Sequence, residues 1–244
     1  METEHIVKSF DEELAKLDHM VAEMGGLAEA QLADAITALV RRDVALAERV
    51  VESDRRIDAI EADLHSFTIR LLALRQPMAD DLRIIVAALK ISSNLERVGD
   101  YAKNIAKRTL VLAKTPALGG APQSIARMAA LTQAMIGSVL DAYIQRDAAK
   151  ADDVRLRDQE VDQIYTSLFR ELLTYMMEDP RNITAATHLL FVAKNVERIG
   201  DHVTSVAEQV HYMVEGELPG ELRPKGDETS FTVVEPETTE EPSA

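Results

Sequence analysis

The chain contains no cysteine and no tryptophan. Without thiols there can be no disulfide framework, no thiolate metal site, no iron–sulfur cluster and no cysteine nucleophile. Aromatic residues make up only 4% of the sequence against 46% hydrophobic residues in all. A core must therefore be assembled from Leu, Ile, Val, Ala and Met, as in helical bundles. Basic residues are outnumbered, 27 against 42 acidic ones, for a formal charge of −15 over 244 residues. That argues against a nucleic-acid-binding protein and suits solubility, cation binding and basic partners. No run of about 18 apolar residues occurs, so no segment is expected to span a membrane. The opening METEHIVKSF has neither a basic nor an apolar leader region, and the expected compartment is the cytoplasm.

Helix breakers are also scarce and fall in few places. Pro77 and Pro180 stand alone, Pro116, Gly119, Gly120 and Pro122 cluster, and the other four prolines follow Gly216. Segments of twenty residues or more remain between them, without the alternation that marks a strand.

What is present is a repeat. Residues 89–108 read LKISSNLERVGDYAKNIAKR and residues 190–209 read LFVAKNVERIGDHVTSVAEQ, identical at seven of 20 positions at an offset of 101. Upstream, Asp54, Ile57, Asp58, Ile60 and Leu64 match Asp158, Val161, Asp162, Ile164 and Leu168 at an offset of 104, as Asp43 matches Asp147. The chain is two copies of one helical unit, joined at the Pro/Gly-rich stretch 115–122. The expected fold is all-α: two tandem, pseudo-symmetric three-helix bundles over 1–115 and 121–214, followed by a disordered acidic tail over 215–244. In the first copy a helix is expected over 4–47, with a possible interruption at Gly25–Gly26 and a restart at Asp43, then helices over 54–74 and 81–107. The second copy predicts 123–156, 158–178 and 182–214. Apolar stripes such as Ile57, Ile60, Leu64, Phe67 and Leu71 support these spans. The tail carries nine acidic and two basic residues with half of the prolines, too little apolar surface to offset its ordering.

Each copy places carboxylates four residues apart on two successive helices: Asp54 with Asp58 and Glu96 with Asp100, then Asp158 with Asp162 and Glu197 with Asp201. Residues at i and i+4 share a helix face and can chelate or bridge a cation. In so acidic a chain roughly seven such pairs arise by chance, so the signal is their recurrence in both halves. Hairpin turns near 78 and 180 bring the four acids of each copy to one height. Measured against the apolar stripes at 100° per residue, Asp58, Glu96 and Asp100 point away from the core, which predicts surface sites between two helices. All-oxygen donors favour Mg²⁺, Mn²⁺, Ca²⁺ or iron over Zn²⁺. His202 adjoins Asp201 but lies about 100° around the helix from it. The competing reading is a solvated acidic face, paired with Arg97, Arg198, Lys103 or Lys107 at small energetic value. Gly99 and Gly200 recur inside helices at a cost of about 1 kcal/mol each relative to Ala, for close approach and ion access or for packing alone.

The segments LERVGDYAKNIAKR and VERIGDHVTSVAEQV, with RQPMADDLR and TYMMEDPRNI before them, closely resemble the PhoU family over about residues 4–214. The resemblance implies two symmetric three-helix bundles, a homodimer, and metal at paired E(D)xxxD motifs. It carries that role onto Asp54, Asp58, Glu96, Asp100, Asp158, Asp162, Glu197 and Asp201. Asn104 fits the family's asparagine, but Ser205 replaces it in the second copy. Family members are regulators, not enzymes. By resemblance the chain is expected to link the ATPase subunit of a phosphate transporter to a PhoR-type sensor histidine kinase, restraining phosphate uptake and the starvation response. The divalent or iron cation (Mg, Mn or Fe before Zn) is unspecified, and neither nucleic acid nor membrane insertion is expected. Two rivals remain: a metal-free helical scaffold, and a di-iron carboxylate protein. The latter needs Glu-x-x-His on two helices, and only Glu208 with His211 has that spacing.

Overall fold

Two aspartates set where the long helices break. Asp43 and Asp147 each take an extended backbone and accept a hydrogen bond from the amide three residues on, Leu46 N–H at 2.9 Å and Lys150 N–H at 3.0 Å. A side-chain oxygen thereby satisfies one of the orphan donors of a helix start. The residue before each, Arg42 or Arg146, turns the chain in the left-handed region at φ 56° and 55°. In the computed structural model, which describes residues 2–220, 226–227 and 229–232, these corners separate α1 (Glu2–Arg41) from α2 (Val44–Arg75) and α4 (Ala121–Gln145) from α5 (Ala148–Glu178). α3 (Ala79–Leu112) and α6 (Ile183–Glu215) complete the two copies, and no strand occurs among the described residues.

The fold is the expected pair of pseudo-symmetric three-helix bundles, with corrected boundaries. α2 and α5 begin ten residues before the predicted 54 and 158: the restart expected at Asp43 is where α2 starts, and its repeat mate Asp147 breaks the second copy where a continuous 123–156 was expected. Gly25–Gly26 does not interrupt α1. A Cβ on Gly25 would run into the Leu140 side chain, so this glycine lets α1 approach α4 closely. α6 ends at Gly216, whose φ of 86° suits only glycine and whose N–H caps Tyr212 O at 2.9 Å.

The bundles share one continuous apolar core. Its fully buried members are those the composition demands, among them Leu17, Met24, Leu32, Ile57, Leu64, Ile85, Ile91, Leu95, Ile105, Ile125 and Met128. Each such side chain contributes about 1.5–3 kcal/mol by leaving water. Contacts place the helices in the order α2, α3, α6, α5, with α1 against α2 and α3, α4 against α5 and α6, and α1 against α4. α3 and α6 run antiparallel, since Lys90 meets Tyr212 while Arg108 meets His188. Fully buried Tyr143 donates to Asp18 at 2.6 Å, and Arg146 reaches the other oxygen of the same carboxylate at 2.6 Å, tying the α4 corner to α1.

Most of the predicted disordered tail lies outside the described residues. Of the part that is described, Gly226 and Asp227 rest against α5 and α6, followed by a 3₁₀ turn at Thr229–Phe231.

Candidate cation-binding grooves

Hairpin register brings the carboxylates of each copy level, as a turn near 78 or 180 requires. Asp54 on α2 faces Gly99 and Lys103 on α3; Asp158 on α5 faces Gly200 on α6. Gly200 makes room for Asp158, and Gly99 makes room first for Ile57 and Gln31 and then for Asp54. A Cβ at Gly200 would stand 2.5 Å from Asp158 Oδ1, and one at Gly99 would stand 2.9 Å from Ile57 Cδ1 and 3.4 Å from Asp54 Oδ1. Close packing and space beside the acids are thus one requirement.

The expected surface location needs correction. Asp54, Asp158, Asp162 and Glu197 are buried; Glu96, Asp100 and Asp201 are half-buried, and Asp58 alone is exposed. The projection against the stripes holds for Asp58 but not for Asp54, which follows Val50 by four residues and precedes Ile57 by three, within the apolar seam itself. Asp158 repeats this between Val154 and Val161.

Buried carboxylates require compensation, and the two grooves find it differently. In the first, Lys103 Nζ bridges Asp54 Oδ2 and Asp100 Oδ1, the latter at 2.8 Å. Gln31 Nε2 donates to Asp54 Oδ1 at 3.1 Å, and Arg97 reaches Asp100 at 3.2 Å and Glu96 at 3.5 Å. Burial pushes the Glu96 carboxyl up to about 7, helped by the neighbouring Asp100 charge. Against the burial penalty, Lys103 holds Asp100 below its ordinary value, and hydrogen bonds to Asp100 and Asp54 hold the Lys103 ammonium above its own. Desolvation and the Asp54 charge raise Asp58.

In the second groove the ammonium comes from Lys194, 2.8 Å from Glu197 Oε1 and 3.1 Å from Asp227 Oδ2, and 4.8 Å from the centre of the Tyr165 ring. Asp162 Oδ2 accepts the Gly226 N–H at 2.8 Å. Burial raises Glu197, whose Oε2 is enclosed without a hydrogen-bond partner. Asp162, Lys194, Glu197, Arg198, Asp201, Asp227 and Ser230 line an open cleft of about 350 Å³. Asp227 was not among the predicted site residues; its only sequence signal is its place in an acidic tail.

The donor chemistry suits a hard cation: acid oxygens, one of them enclosed and unsatisfied, beside glycines that leave room. In each groove a lysine ammonium provides the compensating positive charge. Among the described residues no three Asp, Glu or His side chains are already gathered around a common point. Other candidate groups are engaged elsewhere. His202 Nδ1 lies 2.8 Å from Asn94 Oδ1 and its ring 5.6 Å from Tyr101, while Ser205 Oγ donates to its own helix at Asp201 O. Glu208 and His211 are turned to Arg155 and Asp152, at 3.8 and 3.1 Å.

Comparison with known proteins matches the PhoU domain twice, over residues 21–109 and 125–210, one match per bundle. The chain is 55% identical over 225 residues to a phosphate-specific transport system accessory protein PhoU homolog of Caulobacter vibrioides, covering 92% of this chain and 98% of the relative. It is 51% identical over 230 residues to the corresponding homolog of Rhizobium meliloti, covering 93% and 95%. Its fold is similar to the crystal structure of PhoU from Pseudomonas aeruginosa, with TM-score 0.83 and 38% identity over 85% of this chain and all of that one. The phosphate transport system regulatory protein PhoU from Streptococcus pneumoniae is also similar, with TM-score 0.80 and 30% identity over 87% of this chain and all of that one.

Proposed function

The chain belongs to the PhoU family, and from that membership we propose that it is a non-enzymatic accessory protein regulating phosphate-specific transport. The observation that carries this reading is the double family match, together with near-full-length identity to accessory proteins of such systems. In the finer form of the proposal, a cytoplasmic homodimer connects the transporter's ATPase subunit to a PhoR-type sensor histidine kinase. It lowers uptake and the starvation response when phosphate suffices. No helix among the described residues is long and apolar enough to cross a membrane, so contact with the transporter is assigned to a soluble face. Deleting the gene and following a phosphate-starvation reporter in high phosphate tests it. Derepression, reversed by the wild-type chain, is expected; unchanged reporter and uptake would remove the regulatory reading.

Within this proposal the grooves hold Mg²⁺, Mn²⁺ or iron, through Asp54, Asp58, Glu96 and Asp100 in one and Asp158, Asp162, Glu197 and Asp201 in the other. A bound cation supplies positive charge that joins two helices. The chain's own part is to keep the oxygens at one height, exclude bulk from positions 99 and 200, and withdraw the lysine ammonium. The lysine bridges also favour a second reading, a metal-free scaffold whose grooves are satisfied internally. Elemental analysis of purified wild type beside Asp100→Asn/Asp201→Asn separates the two. Stoichiometric metal lost in the double variant supports cation sites, whereas none after incubation with Mn²⁺, Fe²⁺ and Mg²⁺ leaves the scaffold.

A further inference from the structure

Between the two grooves, α3 and α6 present one helical stripe each. On α3 it runs at three- and four-residue steps from Lys90 through Arg97 and Tyr101 to Arg108; on α6 its repeat mate runs from Phe191 through Arg198 and His202 to Tyr212. Neither stripe contains Asp or Glu at any step, in a chain with 42 acidic residues. Side chains knit the stripes into a single face. His202 bonds Asn94 at 2.8 Å, Arg198 stands 5.9 Å from the Tyr101 ring centre, and Arg108 stands 4.2 Å from that of Phe191 and 3.4 Å from His188. Lys90 lies 6.0 Å from the Tyr212 ring centre.

These contacts orient cations over aromatic rings without neutralising them. Among the described residues only Arg97 of the four fixed cations has a carboxylate partner; Lys90, Arg108 and Arg198 have none. Lys90, Arg97, Arg198 and Phe191 are exposed, Phe191 by 49%. Burial and Arg108 lower the His188 pKa. The face is therefore positive at neutral pH through its fixed cations, with its aromatic groups already placed.

We propose that this α3–α6 face is a docking surface for an acidic segment of a partner protein, a carboxylate-rich helix or extended peptide laid along the seam. Charge complementarity selects the sign of the partner, and the pre-ordered cations lower the cost of binding. Width selects its class. Adjacent helices lie about 10 Å apart, room for one segment. A nucleic-acid duplex or a lipid surface is broader and would overhang the flanking grooves, where Asp100 and Asp201 repel it. The proposal stands whether or not the grooves hold cations; Arg97 is left out of its test because it contacts Glu96 and Asp100, and because Arg198 lines the second cleft every titration is run in chelator.

Fluorescence anisotropy of a labelled peptide of about ten glutamates, titrated with the full-length chain, reads it directly. Saturable binding is expected that fades as salt rises towards about 0.3 M. Lys90→Ala/Arg108→Ala/Arg198→Ala should bind about tenfold more weakly, while the exposed-cation control Arg55→Ala/Lys114→Ala stays within about twofold. Thermal melts by circular dichroism check that both fold. Should the triple variant not fold, exposed Arg198→Ala alone should still weaken binding about threefold. Equal binding by wild type and triple variant, or an equal loss in the control, overturns the proposal. So does tighter binding to phosphatidylglycerol vesicles or a DNA duplex that the triple variant releases, which would assign the face to another class of partner.

Discussion

In the first groove the neutralising ammonium comes from Lys103, three residues after Asp100; in the second it comes from Lys194, three residues before Glu197. The repeat mates of these lysines are Thr204 and Ser93, neither of them charged. Gln31, which donates to Asp54, is matched at the offset of 104 by buried Met135. The acids, the glycine beside them and the arginine after each glutamate (Arg97, Arg198) recur, while the lysine and the amide that reach the acids do not. The requirement common to the halves is therefore the anionic set with its cleared space, and each half neutralises it locally. Burial raises the matched carboxyls Glu96 and Glu197 alike, so a proton can share the task in both halves, while Asp54 is held between an amide and an ammonium.

Removing each lysine in turn breaks this comparison most strongly. In chelator, Lys103→Met strands the buried Asp54 carboxylate and is expected to cost about 3 kcal/mol in denaturant unfolding, at the low end for a broken buried pair because Lys103 is partly exposed. Lys194→Met is expected to cost about 1 kcal/mol, since Glu197 can take up a proton instead. Equal losses would mean that the grooves are electrostatically equivalent.

The glycines give the next contrast. Alanine at either site gains about 1 kcal/mol of helix propensity and must then find room for its methyl group. At 200 that methyl meets a buried carboxylate oxygen at 2.5 Å; at 99 it meets the movable end of Ile57 at 2.9 Å. Gly200→Ala should lose about 2 kcal/mol net and Gly99→Ala less than about 1 kcal/mol. Matched urea titrations decide it, and a stable Gly200→Ala would show that Asp158 has another position open to it.

Why some of this was legible from the sequence and some was not follows from the same residues. Helix count, antiparallel register and the levelling of four acids per copy come from breaker spacing and the repeat, which act over whole segments. The corners at Arg42–Asp43 and Arg146–Asp147 depend on one left-handed residue and one cap, a signal of two residues inside an unbroken helical pattern. The restart at Asp43 was expected, and the repeat matches Asp43 with Asp147, so the same break could have been carried to the second copy. Burial of Asp54 and Asp158 was also readable, because each sits at a stripe position between two apolar residues. Lys103 was legible as a partner of the acids on its own helix, three residues after Asp100; the contacts Lys103–Asp54, Lys194–Asp227 and Gly226–Asp162 were not, since they join residues at separations from 33 to 64 with no common pattern.

Proton competition sharpens the comparison further. Glu96, raised to about 7 by burial and by Asp100, is protonated in the folded chain at pH values where the unfolded chain has lost that proton. Its contribution therefore falls as pH rises from the ordinary carboxylate range to about 7, in contrast to a salt-bridged acid. A cation in the first groove must displace this proton. In Asp201→Asn, which leaves that groove intact, Mn²⁺ affinity by calorimetry should rise up to about tenfold per pH unit below 7 and level off above it. A flat profile from pH 5.5 to about 7.5 would remove Glu96 from the ligands.

The smallest expected effect concerns the tail, which the first groove lacks among the described residues. Gly226 N–H holds Asp162, and Asp227 holds Lys194, the ammonium that competes with an ion for Glu197 Oε1. Such a contact is worth about 0.5–1 kcal/mol. If the tail excludes the cation, apparent affinity is reduced by the fraction of molecules in which the tail has lifted. Asp227→Ala, measured in an Asp100→Asn background that silences the first groove, should then tighten Mn²⁺ binding about two- to fivefold. Weaker binding instead would make Asp227 a ligand. The second groove would then differ from the first in the number of its oxygens, and the tail would complete it where it had been expected to obstruct.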